Sequence, residues 1–226
     1  MKCIVRKTVI FIIGLTIMAL SASLSTKASL GVSPISSVPY TLSLIPGSLS
    51  FGACTFVFNI VLFVAGILVM RHNYKPMYAL CAVFVIVFSY LCDVFLIVFE
   101  GVSPDNYLEQ WIVELISAVA LALGIALTMV SSISMLPGDF FVRFVARIKD
   151  WNFGLTKICF DFSCIIASVV ISLAFLPEIS GIREGTIMFI IAVGPMVNFF
   201  FRLMDRAGLL MWVDYEPIAI DVHAKE

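Results

Sequence analysis

Six apolar runs, at residues 8–26, 48–70, 76–99, 111–133, 155–176 and 186–204, take up more than half of the chain. Each is near the roughly 20 residues that a helix needs to cross a bilayer. Of 226 residues, 62% are hydrophobic and 13% charged. A water-soluble chain of this size has no core large enough to hide that much apolar surface, whereas lipid solvates it directly. The connections are too short for a soluble domain, so the expectation is a single all-α integral membrane domain over 1–226.

The same composition excludes other classes. A net charge of −1 argues against nucleic acid as a partner. Cys3, Cys54, Cys81, Cys92, Cys159 and Cys164 lack metal-ligand spacing and lie mostly in the apolar runs, where cysteine acts as a small hydrophobe. No metal, cofactor or disulfide framework is expected. The only histidines are His72 and His223, and no nucleophile–base constellation accompanies them, so the chain does not read as an enzyme.

Positive charge orients the spans. Lys2, Arg6 and Lys7 precede the first; Arg71 and Lys75 follow the second; Arg143, Arg147 and Lys149 follow the fourth; Arg202 and Arg206 follow the sixth. The other three connections carry only Lys27 and Arg183. With six spans, all four basic segments fall on the cytoplasmic side together with both termini, and 207–226 forms a short cytoplasmic tail. The basic amino end with Ala19, Ser21 and Ala22 behind it also resembles a cleavable signal peptide, but the run stays apolar through Leu24, and a first helix is needed for the repeat described next.

Residues 1–100 and 108–206 read as two versions of one unit. "SPISSVPYTLSLIPGSLSFGACTFVFN" runs from Pro34 through Gly52 to Asn59, and "LPGDFFVRFVARIKDWNFGLTKICFD" from Pro137 through Gly154 to Asp161. Proline-to-glycine spacing is 18 and 17, and glycine-to-polar spacing is 7 in both. "YLCDVF" around Asp93 matches "PMVNFF" around Asn198, so Asp and Asn exchange between the units twice. Each unit has three spans, an odd number, so the second enters the membrane inverted. The expected fold is two inverted three-helix repeats with a short interfacial or re-entrant helix between the first and second helix of each, a plan many secondary transporters share.

In the second unit that short element reads as an amphipathic helix with Asp139, Arg143, Arg147 and Asp150 on one face, placed in the cytoplasmic interface or acting as a gate. Its first-unit counterpart has no charge between Ala28 and Gly47 but has Pro34, Pro39 and Pro46, which fits a re-entrant segment over a cavity. Within the spans, a buried carboxylate costs about 2.5–3.5 kcal/mol at a helix centre. Asp161 has Lys157 one turn before it; Asp93 has no cation on its own helix and needs a proton or a donor such as Asn59. Asp93, Asp161, Asn59, Asn198 and Lys157 are therefore the candidate substrate or proton pathway, and Pro34, Pro137, Asp139, Arg143 and Arg147 the candidate gate. Glu114 is placed near the outer interface and hydrated. The row Ala118, Ala122 and Ala126 with Gly124 is read as helix packing, and Gly194-Pro195 as a kink.

The segments "LGVSP" (30–34), "SFG" (50–52), "CDVF" (92–95), "LPGDFF" (136–141), "GIREGT" (181–186) and "AVGPMV" (192–197) resemble the bacterial YczE/YyaS/YitT-type membrane proteins, the YczE branch above all. The resemblance implies a multi-pass protein of the bacterial cell membrane and acidic residues at Asp93 and Asp161. The Pro-Trp-Asp pattern of that family is replaced by Pro34-Ile35-Ser36, whereas Pro137-Gly138-Asp139 keeps its acid. The first functional expectation is a small-molecule permease or exporter, proton-coupled through the two carboxylates. The second is a non-transporting accessory protein that positions a partner enzyme. The partners expected are the bilayer, an unidentified small molecule and a second copy of the chain.

Overall fold

The computed structural model describes residues 2–70, 79–133, 136–149, 151, 153–178 and 181–212. Arg71, His72, Lys75, Asp150, His223, the side chain of Arg147 and the tail beyond 212 lie outside the described residues. All regular structure among those described is helical: α1 (Lys2–Ala28), α2 (Pro34–Ser43), α3 (Phe51–Met70), α4 (Ala79–Val98), α5 (Tyr107–Ser131), α6 (Pro137–Ile148), α7 (Phe153–Phe175), α8 (Glu184–Arg206) and the single turn α9 (Leu209–Trp212). Six of these, α1, α3, α4, α5, α7 and α8, are long and apolar enough to span a membrane. They match the six runs in order, and α5 starts at Tyr107, one turn earlier than its hydropathy indicates.

The centre is the pair α1 and α5, which cross antiparallel. Small residues permit the approach: a Cβ added to Gly14 would stand 2.9 Å from the carbonyl oxygen of Gly124. Two turns away, the Ser21 hydroxyl donates to the Ser117 carbonyl at 2.7 Å, and the Ser117 hydroxyl returns a bond to the Ser21 carbonyl at 2.9 Å. Phe11, Leu15, Met18, Ala19 and Ala22 of α1 form a buried cluster with Phe51 of α3 and Phe88 and Cys92 of α4.

Around this pair, α4 packs on α1 and α8 packs on α5. Two short helices contact the same pair of spans: α2 packs on α7 and α3, and α6 packs on α3 and α7. Pro34 opens α2 at its first turn, where a missing N–H costs nothing. Pro39 inside it removes one helical bond, in keeping with a helix of only 10 residues. α2 is buried through Pro34, Ser37, Val38, Pro39 and Thr41. α6 is likewise enclosed, with Phe140, Val142, Phe144 and Ala146 all buried. α6 is wedged between α3 and α7, with Arg143 half-buried.

The segment between α1 and α2 is stitched to the start of α8. Val32 N–H donates to Gly181 O (3.1 Å), Gly185 N–H to Leu30 O (2.9 Å), the Thr186 hydroxyl to Val32 O (2.9 Å) and Arg183 Nη1 to Ser29 O (2.9 Å). Gly31 sits in this clasp at φ +110°, where a side chain would also strike the Thr186 hydroxyl.

Candidate functional site

Three polar loci stand out within the spans, and they are separate. The first joins α3 and α4. Asp93, near the end of α4, accepts the Ser50 hydroxyl at 2.7 Å and the Gly52 backbone N–H at 2.7 Å. Ser50 Oγ in turn accepts the Ala53 N–H at 3.2 Å. The carboxylate thus satisfies the opening N–H groups of α3 and lies where the helix dipole favours negative charge. Gly52 makes this contact achievable, since any Cβ there would collide with Asp93 and with the Ser89 carbonyl. Asn59 is buried, but its side-chain amide donates to the Thr55 carbonyl (2.9 Å), so Asp93 takes its donors from the α3 terminus instead.

The second locus joins α6 and α7 at the opposite end of the molecule. Lys157 Nζ lies 3.2 Å from Asp161 and 3.3 Å from Asp139. The pair predicted within α7 forms, and α6 adds a second acid from the short helix. Asp161 is the most enclosed of the three at 14% side-chain exposure, against 29% for Lys157 and 34% for Asp139. One cation between two carboxylates leaves a formal excess of one negative charge, part-shielded from water. Pro137 opens α6 and is buried, Gly138 above it lies against Ile35 of α2, and Arg143 is half-buried. Asn198 of α8 joins neither locus; it is exposed on the outer surface of its helix.

The third locus was missed in the sequence. Glu114, expected to be hydrated, is 0% exposed, and among the described residues neither of its carboxyl oxygens has a hydrogen-bond partner. It faces the first turn of α8: a Cβ added to Gly185 would meet Glu114 Oε1 at 2.5 Å and Leu30 O at 2.9 Å. α8 and the α1–α2 clasp close over the start of α5, so a residue two turns into that helix is already sealed from water. The signal was present: Glu114 continues at four-residue steps the row Ala118, Ala122 and Ala126, all fully buried. That row faces inward, and so does the glutamate at its head.

Among the described residues no group of three metal-ligating side chains occurs. The free cysteines Cys54, Cys81, Cys92 and Cys164 are buried, and Cys159 is exposed. No curated protein and no solved structure matches the chain. A family model described as "Family of unknown function (DUF6198)" matches residues 5–202. That match takes in α2 to α7, most of α1 and α8 and all three polar loci, and the chain belongs to this family.

Proposed function

We propose that the chain is a small-molecule permease or exporter of the bacterial cell membrane, built as two inverted three-helix repeats with both termini cytoplasmic. The packing supports the repeat. The pairs α1–α4, α2–α3 and α2–α7 have the counterparts α5–α8, α6–α7 and α6–α3. The register that sets Pro34 on Pro137 exchanges the contact of Ser21 with Ser117 for that of Gly124 with Gly14. The register that sets Gly52 on Gly154 carries Gly66, which meets Phe140 of α6, onto Ser168, which bonds Ser37 and Thr41 of α2.

The observation that carries the transport reading is the one pairing without a comparable counterpart. α3 and α4 are closely packed and pinned by Asp93, whereas among the described residues α7 and α8 have no extensive contact and Asn198 stands exposed. In an alternating-access device this is the pattern of one gate closed and the other open. Exchanging the states would release Asp93 from Gly52 and bring Asn198 toward the start of α7. The resemblance to YczE-type proteins fits this topology but brings no substrate.

Purified protein in liposomes, offered a metabolite panel with and without a pH gradient, is expected to accumulate at least one class of compound. Cross-linking Gly154→Cys to Asn198→Cys, in a chain freed of its native cysteines, is expected to stop that uptake until the link is reduced. Absence of uptake across the panel, or accessibility labelling that puts Arg71 and Arg147 on opposite faces, would overturn the reading. The exposed polar Asn198 on α8 favours the second reading, an accessory protein docked through that helix, and co-purification of an enzyme lost on Asn198→Leu is its test.

A further inference from the structure

Glu114 has no structural task that a carboxylate performs better than a hydrocarbon. The register that sets Pro34 on Pro137 sets Phe11 on Glu114. Phe11 is 1% exposed and packs against Phe84 of α4 at 4.3 Å between ring centroids, so an apolar side chain serves well at that position. Glu114 instead seals a carboxyl group among Gly185, Leu30 and the α1–α5 seam, without a partner among the described residues. An unpaired charge there would cost several kcal/mol. Charged groups on the surrounding elements do not compensate it. Lys27 ends α1, Arg183 and Glu184 begin α8 and pair with each other at 3.6 Å, and Glu109 at the start of α5 accepts from Asn106; among the described residues none forms an ion pair with Glu114.

We infer that Glu114 is a proton-binding site, occupied while α8 is seated on α5 and exchanged with water when the first turn of α8 moves away. A proton fits better than a metal ion. A hard cation demands several oxygen ligands, and among the described residues no group of three metal-ligating side chains includes Glu114. Gly185 is the matching device, because its missing side chain lets α8 close down on the carboxyl. Coupling of this proton to solute movement rests on the transport reading above; occupancy of the site does not.

The probe is an apolar carbodiimide, which attacks protonated carboxyl groups in apolar surroundings, read by peptide mass spectrometry on the purified full chain between pH 5 and 10. Glu114 is expected to be labelled at neutral pH while exposed Glu100 and Glu178 are not, with labelling falling about tenfold per pH unit above its midpoint. Glu114→Gln is expected to abolish that adduct, and Glu114→Phe to fold with unchanged or higher thermal stability. Labelling absent at every pH, labelling independent of pH, or protection by sodium at constant pH overturns the proposal. In liposomes, uptake by Glu114→Gln that still responds to the pH gradient overturns the coupling. Absence of uptake in the unaltered chain sinks the transport reading alone, and the labelling result then decides the site by itself.

Discussion

In the proposed repeat, the two halves place different chemistry at matching positions. In the first, Asp93 closes the α3–α4 contact by holding the backbone at Gly52, and the residues matching the charged cluster are Ser36, Thr55 and Asn59. In the second, Asp139, Lys157 and Asp161 form that cluster, while the match for Asp93 is the exposed Asn198. Small and aromatic residues make helix contacts in both halves, at Phe51 and Gly52 in the first and at Gly124 and Phe140 in the second. The charges mark what the halves do differently. One carries a closure between its second and third spans, and the other an ion cluster between its short helix and its second span.

The contrast is open to attack, with thermal unfolding followed by a thiol-reactive dye on the buried free cysteines Cys54, Cys81, Cys92 and Cys164. The largest effect is expected at Gly52. Gly52→Val forces α3 from α4 and should destabilise by about 3 kcal/mol, whereas Gly194→Ala, with nothing within 4 Å of the added carbon, should leave unfolding unchanged. Equal effects at the two glycines would remove the distinction between a closed contact and an open one. Next comes Asp93→Ala, which strips the α3 terminus of a charged acceptor and should cost about 2 kcal/mol; Asn198→Ala should cost far less.

Lys157→Met leaves two carboxylates facing each other. Because Asp139 is a third exposed, water relieves part of the repulsion, and a loss of about 1–2 kcal/mol is expected. Adding Asp139→Asn and Asp161→Asn should restore most of it, since the first half is built with neutral residues there. A triple variant as unstable as the single one would show that charge itself holds α6 to α7. A smaller loss is expected of Ser168→Ala, which removes bonds to Thr41 (2.5 Å) and Ser37 (3.3 Å) and should cost about 0.6 kcal/mol.

Much of this architecture was legible in the sequence. Six spans follow from run length and hydropathy, because lipid penalises any unpaired backbone group and leaves helix as the one option for such runs. The Lys157–Asp161 pair follows from helical spacing. The destination of Asp93 was not legible: "SFG" and "CDVF" both stood out, but no periodicity says that the carboxylate of one meets the backbone of the other. The enclosure of α6 was hidden for a similar reason. An amphipathic pattern is satisfied by a headgroup layer or by two flanking helices, and only tertiary packing separates them. Glu114 failed on boundary error, since a few residues of depth separate a wet carboxylate from a sealed one.

The reciprocal serine bonds of the central crossing also bear on how the chain is made. α1 leaves the ribosome well before its partners α4 and α5. Until they arrive, Gly14, Ser21 and Ser23 face lipid, with no Ser117 or Cys92 carbonyl to receive the hydroxyls. Biogenesis must therefore hold a polar-flecked first helix in waiting, and the last half of the protein completes the first.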